Sequence, residues 1–453
     1  MRDGGEVAPQ RRAAYEVLRR VFEHGAWADR ALPAAADRHR LDPRERAQAQ
    51  RLAYGAVQRK GTADHLIARL ADRPPTKLDP PVLAALRLGL YELEFADATP
   101  DHAAVDQAVE LAKGSGGRRR RAGATLVNAV LRRAAASEDL LEGLDDSTPE
   151  GAAAFHSCPE WLARRWWEEL GEQDARTLLA AINQPPETAL RVNALRAKPE
   201  VVVGELLASG EKVAPEGSGL LAPPEAVVVQ GQLTEGLRRR IEAGELVPQA
   251  RGSQAVVEVL DPQPEERVLD LCAAPGIKTT AVAARMRDRG EVVAVERDPG
   301  RTSQLRELCA RLGATCITVV EGDATEVDLG GGYDRVLVDA PCSDLGTLAS
   351  RPDARWRKSP ELIQRVAGVQ GAILPRADDA LKPGGALVYS VCTISKREGE
   401  DRVNELLATG RAEATDLGRA SPPLASSRDP RFLQIRPDRD RTDGFFIARL
   451  ERR

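Results

Sequence analysis

Two cysteines stand at the ends of β-forming runs: Cys342 in "VLVDAPCSDLG", residues 336–346, and Cys392 in "LVYSVCTIS", residues 387–395. The first run also carries a carboxylate, Asp339. Free cysteines usually behave as small hydrophobes, and Cys309 and Cys316 read that way. Two thiols and a carboxylate at neighbouring strand ends suit a pyrimidine reaction. Carbon 5 of cytosine is a poor nucleophile, but a thiolate added to carbon 6 makes it enamine-like and able to attack an electrophilic methyl group. A proton must then leave carbon 5 and the thiol be eliminated, which calls for a second group near the adduct. Asp339 is placed to bind the ring nitrogen and exocyclic amine, stabilising charge as the thiolate adds. Free cysteine titrates near pKa ~8.5, so a cationic cofactor and helix N-termini must favour the thiolate.

The other strand ends supply candidates for the methyl donor. In "LDLCAAPGIKTT", residues 269–280, a strand runs through a Pro-Gly turn into a helix, and Cys272, Ala273, Ala274, Pro275, Gly276, Ile277 and Lys278 form that turn. Glycine lets backbone approach a ligand closely. The segment is not a phosphate loop, because Ile277 splits Gly276 from Lys278, and it lacks the dinucleotide GxGxxG pattern. A nucleoside cofactor without phosphates, such as S-adenosylmethionine, suits it. Glu296 ends the next strand, where a carboxylate either accepts both ribose hydroxyls or is only a helix cap, as Asp298 also is placed to be, and Asp323 ends the third, placed for an adenine amino group.

These positions need a sheet. From about residue 245 strands alternate with helices, which predicts an α/β, Rossmann-like parallel sheet wrapped on both faces, with ligands at the carboxyl ends of the strands. Residues 245–453 are therefore expected to be the catalytic domain. Residues 1–137 show apolar recurrence at three and four, as in "PPVLAALRLGLYELEF", and predict an all-helical domain. Residues 138–158 are acidic and turn-rich and read as a linker, and 159–244 read as a connecting helix and a small α+β segment. "KGSGGRRRRAG", residues 113–123, reads as a flexible loop whose Arg118, Arg119, Arg120 and Arg121 are either a solvated run or an RNA phosphate contact. The tryptophans of "EWLARRWWEEL" read as core anchors rather than stacking platforms.

Composition narrows the classes. With 453 residues the chain should hold two or three domains, and a net charge of −4 leaves nucleic-acid binding to local patches. Six cysteines without a CxxC pair indicate neither a disulfide framework nor a zinc knuckle, so no metal is expected. All five histidines lie at or before His156, which removes imidazole chemistry from the catalytic region. The N-terminus lacks a signal-like apolar core and no apolar run is of bilayer-spanning length, so a cytoplasmic protein without a membrane partner is expected. A monomer is the expectation, with no feature of the sequence fixing the oligomeric state.

"LDLCAAPGIKTT", "AVERD", "EGDAT", "VLVDAPCSDLG", "RPDARW", "LKPGGALVYSVCTIS" and "DGFFIARL" occur in an order that resembles bacterial RNA cytosine-carbon-5 methyltransferases. "DHAAVDQAVELAK" and "LVNAVLRR" are similar to the NusB-type RNA-binding domain of the Sun (RsmB) branch, which acts on 16S ribosomal RNA. The resemblance implies S-adenosylmethionine as cofactor, held by Cys272 to Lys278, Glu296, Asp323 and Asp339. It also implies Cys392 as nucleophile and Cys342 as the group that releases the product, on a cytosine of the 967 type. Four positions depart from the pattern: Ile277 for glycine, Val391 for threonine, Gly399 for asparagine and Ala250 for aspartate. They sustain an alternative, a non-catalytic RNA-binding or antitermination factor that keeps the fold as scaffold.

Overall fold

The computed structural model describes residues 7–96, 99–114, 118–214 and 219–453. The chain divides into two compact units, residues 1–183 with 351–358, and residues 184–350 with 359–453.

The first unit is helical. Its helices include Pro9–His24, Pro43–Gln58, Lys60–Ala71, Pro80–Phe95, Asp101–Lys113 and Arg118–Ala135. Their apolar stripes close on one core that contains Leu18, Leu52, Leu66, Leu86 and Leu131 at 0–1% exposure. The four arginines do not lie in a loop: Arg118 opens the helix Arg118–Ala135, and residues 115–117 of the predicted loop fall outside the described residues. Arginine is a good helix former, and Ala124, Val127, Val130 and Leu131 of the same helix are buried in the core. Those terms outweigh the unfavourable position of cations at a helix N-terminus. Within the stretch 138–158, Thr148 caps a further helix, Pro149–Phe155, by accepting from the Gly151 amide.

The segment 351–358 belongs to this helical unit although its neighbours on both sides belong to the other. The Trp356 indole donates to the Val57 carbonyl at 2.8 Å. The buried Arg355 guanidinium donates to the carbonyls of Ser157 and Ile182 and to Asn183 Oδ1. Arg357 donates to the Gly25 carbonyl and lies 4.2 Å from the Trp27 ring centroid.

The second unit holds two sheets. Strands β1 (Thr188–Val192), β2 (Val213–Ala214), β3 (Ala226–Val229) and β4 (Leu246–Pro248) form an antiparallel sheet in the order β2-β3-β1-β4. The larger sheet contains β5 (Arg267–Asp270), β6 (Glu291–Glu296), β7 (Ile317–Glu321), β8 (Tyr333–Asp339), β9 (Leu381–Val391), β10 (Ala412–Ala414), β11 (Leu433–Ile435) and β12 (Phe445–Arg452). Its order is β10-β12-β9-β8-β5-β6-β7, with β11 also paired to β12. Strands β5 to β9 are parallel as predicted, whereas β12 runs antiparallel to β9, β10 and β11. Side chains alternate between two apolar cores: Val336, Val338, Leu387 and Tyr389 face one, Leu337 and Val388 the other. Helix Pro360–Ala380 covers the first core and helices Arg251–Leu260 and Ile277–Arg285 the second. The chain reverses at β5, with β6 to one side and β8 to the other, and this is where such sheets bind ligands.

Candidate active site

The loop after β5 is shaped by Gly276, whose φ of +103° lies in the left-handed region. A Cβ there would also sit 2.5 Å from Leu305 Cδ1, so backbone and packing both require glycine. Helix Ile277–Arg285 starts at once and brings Lys278 Nζ to 2.7 Å from Asp339 Oδ2. Burial opposes the ammonium, but the Asp339 carboxylate outweighs it and holds the Lys278 pKa above its ordinary value. The other Asp339 oxygen accepts from Ser390 Oγ at 2.7 Å, the residue opposite it in register on β9. Each carboxylate oxygen keeps a further lone pair for a substrate donor.

Behind this pair lies Asp270, 1% exposed, which sequence reasoning did not single out. Its Oδ2 accepts from Thr279 Oγ1 at 2.7 Å, while Oδ1 is buried without a partner among the described residues. Burial pushes this carboxyl up to about 7, and the Asp339 charge adds to the effect. Cys272 is driven well above the usual thiol range by burial first, then by Asp270, Asp339 and Glu296. A site that resists negative charge this strongly favours a cationic ligand, and the sulfonium and ammonium groups of S-adenosylmethionine supply positive charge.

Glu296 ends β6 at 5% exposure; its Oε1 accepts from the Asp298 amide at 3.0 Å and its Oε2 lies 3.7 Å from Arg301. Arg301 also donates to the Ala274 carbonyl, so the turn Ala273–Pro275 is tied to the end of β6. Asp323 does not end β7, which stops at Glu321, the register partner of Glu296. It sits in the following turn, accepting from Thr325 N and Oγ1, and those hydrogen bonds hold its carboxyl below the usual range. The Gly322 amide donates to the Glu296 carbonyl, which lays that turn beside β6.

Cys342 and Cys392, fifty residues apart in sequence, have their sulfurs 3.3 Å apart. Asp344 Oδ1 lies 3.2 Å from Cys392 Sγ and 3.6 Å from Cys342 Sγ. The Cys392 thiol is pushed well above its ordinary value, chiefly by its hydrogen bond with Cys342, then by burial and by Asp344 and Asp339. For Cys342 the bond to Cys392 pulls downward, but burial, Asp344 and Glu398 leave it raised. Both shifts favour the thiol over the thiolate, although the Lys278 ammonium also interacts with Cys392.

Their register is fixed by Glu398, a fully buried carboxylate absent from the sequence-based candidates. Beside Cys342, Ser343 donates to Glu398 through its amide at 2.7 Å and its hydroxyl at 2.5 Å. Beside Cys392, Thr393 Oγ1 lies 3.4 Å from Glu398 and 2.9 Å from Ser343 Oγ. Gln370 of helix Pro360–Ala380 donates to the Pro341 carbonyl, and the Gly346 amide donates to the Cys392 carbonyl. In the sequence Glu398 is one acid within "KREGE" and Asp344 a turn residue. The one local signal for Asp344 is its φ of +56°, visible only in the structure.

The departures have structural counterparts. A Cβ at Gly399 would meet the Phe446 ring at 2.9 Å, so asparagine is excluded unless the ring moves. Ala250 is the N-cap of helix Arg251–Leu260 and offers it no side-chain acceptor. Val391 belongs to the apolar core with Phe432 and Phe446, while hydroxyls beside the thiols come from Ser343 and Thr393. Ile277 is the first residue of its helix, partly exposed. Of the arginine run, Arg121 is exposed, and the side chains of Arg118, Arg119 and Arg120 lie outside the described residues. No described helix is long and apolar enough to cross a membrane.

Comparisons with known proteins agree with this architecture. Family models match as 16S rRNA methyltransferase RsmB/F over residues 257–451, as the NusB family over 8–136, and as the RsmF/B-like ferredoxin-like domain over 158–231. A probable ribosomal RNA small subunit methyltransferase B of Synechocystis is 34% identical, with 98% of this chain and 99% of that protein covered. One of Bacillus subtilis is 31% identical, with 97% and 98% covered. The crystal structure of PH0851 superposes with a TM-score of 0.80 at 26% identity, covering 99% of this chain and 100% of that one. The chain thus belongs to the ribosomal RNA small subunit methyltransferase B family, S-adenosylmethionine-dependent enzymes that join a NusB-type helical region to a Rossmann-like methyltransferase sheet.

Proposed function

We propose that the protein methylates carbon 5 of a cytosine in 16S ribosomal RNA, of the 967 type, through a covalent adduct on Cys392. The observation that carries this reading is the meeting of Cys342 and Cys392 at 3.3 Å beside the Lys278–Asp339 pair. The residues that fit the cofactor are the turn Cys272 to Lys278 with Glu296, Asp323 and Asp339, and S-adenosylmethionine supplies an electrophilic methyl group there. Cys392 loses its proton and its sulfur bonds to carbon 6, which makes carbon 5 nucleophilic. Asp339, held by Lys278 and Ser390, grips the ring nitrogen and exocyclic amine as charge develops. After methyl transfer Cys342, as a thiolate, takes the carbon 5 proton; the electron pair of that bond restores the ring double bond, and the carbon–sulfur bond breaks to free Cys392 as a thiolate.

The target base must leave its stack to reach a strand-end pocket, at a cost of a few kcal/mol, so a loop is the favoured target. The helical region 1–137, with Arg118 to Arg121, docks the RNA, and the protein acts as a monomer in the cytoplasm, where its substrate is. The test is a pair of variants incubated with 16S RNA and labelled cofactor. Cys392→Ala is expected to abolish methylation without an adduct, and Cys342→Ala to accumulate a covalent protein–RNA complex. The reverse pattern sinks the role assignment; cofactor binding without any transfer by the unaltered protein establishes the scaffold alternative.

A further inference from the structure

We propose that Cys342, Cys392 and Asp344 form a binding site for a thiophilic divalent cation, Zn2+, whose occupancy reversibly silences the enzyme. Their donor atoms all lie within 4.8 Å of one another, the one cluster of three such donors among the described residues. All three residues are partly exposed, which puts the cluster at the edge of the interior rather than deep within it. Zinc binds thiolate sulfur at about 2.3 Å and carboxylate oxygen at about 2.1 Å in a tetrahedron, so ligand atoms on one face are spaced by about 3.5–3.8 Å. The observed sulfur–oxygen spacings are 3.2 and 3.6 Å and the sulfur–sulfur spacing 3.3 Å. Closing the site requires the sulfurs to part by about 0.5 Å, a matter of side-chain torsion. The backbone is already fixed, because Glu398 joins the two loops through Ser343 and Thr393.

Two soft sulfurs and one oxygen select zinc over magnesium or calcium, which prefer all-oxygen sets. On binding, two S–H bonds break, two protons pass to solvent, two Zn–S bonds form, and the Asp344 carboxylate gives the third ligand. Water fills the fourth position, and no electron changes hands. The sequence hides this site, since fifty residues separate the two cysteines. Silencing rests on the reading of these thiols as the reacting groups: with both sulfurs on the metal, neither can add to carbon 6.

The test uses the full-length, reduced protein titrated with Co2+, a spectroscopic stand-in for Zn2+. One equivalent per chain with thiolate-to-cobalt charge-transfer absorption, displaced by Zn2+, is expected. The absorption should vanish in Cys342→Ser and Cys392→Ser, and affinity should fall at least about tenfold in Asp344→Asn, as it does on loss of even an outer-shell partner. Circular dichroism checks that each variant is folded. Absence of that absorption, or its persistence in the double cysteine variant, overturns the site. In the methylation assay, Zn2+ should inhibit and chelator restore. Metal bound with methylation undiminished overturns the silencing, whereas metal bound to a protein that never methylates cytosine overturns only the functional reading.

Discussion

At the residue scale, the candidate site holds groups shifted from their ordinary protonation equilibria. Cys392 is raised by its bond to Cys342, by burial and by nearby carboxylates, so its thiolate fraction at neutrality is small and grows about tenfold per pH unit below the pKa. The profile of kcat/KM, which reports the free enzyme, is therefore expected to rise by about one log unit per pH unit between pH 6.5 and 8.5. A flat profile would count against a thiolate nucleophile. Asp270 gives an independent test through stability. Its folded-state pKa, pushed up to about 7, exceeds the unfolded value of about 3.9. The stabilisation that it contributes is thus complete below pH ~4 and lost as pH rises through about 7. Chemical denaturation of Asp270→Asn should show a weaker loss of stability from pH 5 to 8 than the unaltered protein, by roughly 2–4 kcal/mol.

At the element scale, the helix that buries Arg251, Gln254 and Val256 gets no side-chain cap from its N-cap residue Ala250; its first two amides donate instead to Glu187 Oε1 and Thr442 Oγ1, which leaves the Ser253 amide for an N-cap acceptor. The N-cap backbone, φ −58° and ψ 145°, is one that aspartate adopts readily. Ala250→Asp is expected to stabilise the protein by about 1 kcal/mol, read as a higher denaturation midpoint with unchanged slope. Glycine at 399 has a different origin. The helix Glu400–Leu407 begins against the Phe446 ring, and only the absence of a Cβ lets it approach. One departure from the family pattern is thus a missing stabilising group, the other a packing match.

At the scale of the whole molecule, the chain passes from one unit to the other at 183/184, at 350/351 and again at 358/359. Eight residues that follow the thiol-bearing loop belong to the helical unit, and Trp356 among them packs against its apolar core. Arg355, with 0% exposure, is lowered to about 10 by burial and serves three acceptors there. Arg355→Ala leaves those acceptors without their donor, at about 1–3 kcal/mol for each group that water does not reach. Trp356→Ala empties a partly buried indole site, at about 2–4 kcal/mol. Both variants are expected to lower the melting temperature of the helical unit in calorimetry. An unchanged transition would mean that the segment is not part of that unit's core.

Much of the architecture was legible because it is written in short periods. Alternation at two and at three to four residues, broken by Gly and Pro, placed β5, β6, β8, β9 and β12 and the N-terminal helices. The types of residue at the strand ends, Asp339 with Cys342 and Cys392, are the basis of the reaction proposed above. What periodicity could not show is anything that depends on two distant segments meeting. The helix at Arg118 was mistaken for a loop because its apolar stripe begins only at Ala124, and the end of β7 was set two residues late. Asp270, Asp344 and Glu398 went unnoticed, since a carboxylate's role depends on which loop is folded against it. The sequence alone determined the elements and which thiols and carboxylates stand at their ends, because those follow from local pattern and residue chemistry. Only the tertiary structure decided that two thiols fifty residues apart share one carboxylate and one buried clamp, because that depends on how the sheet brings its loops together.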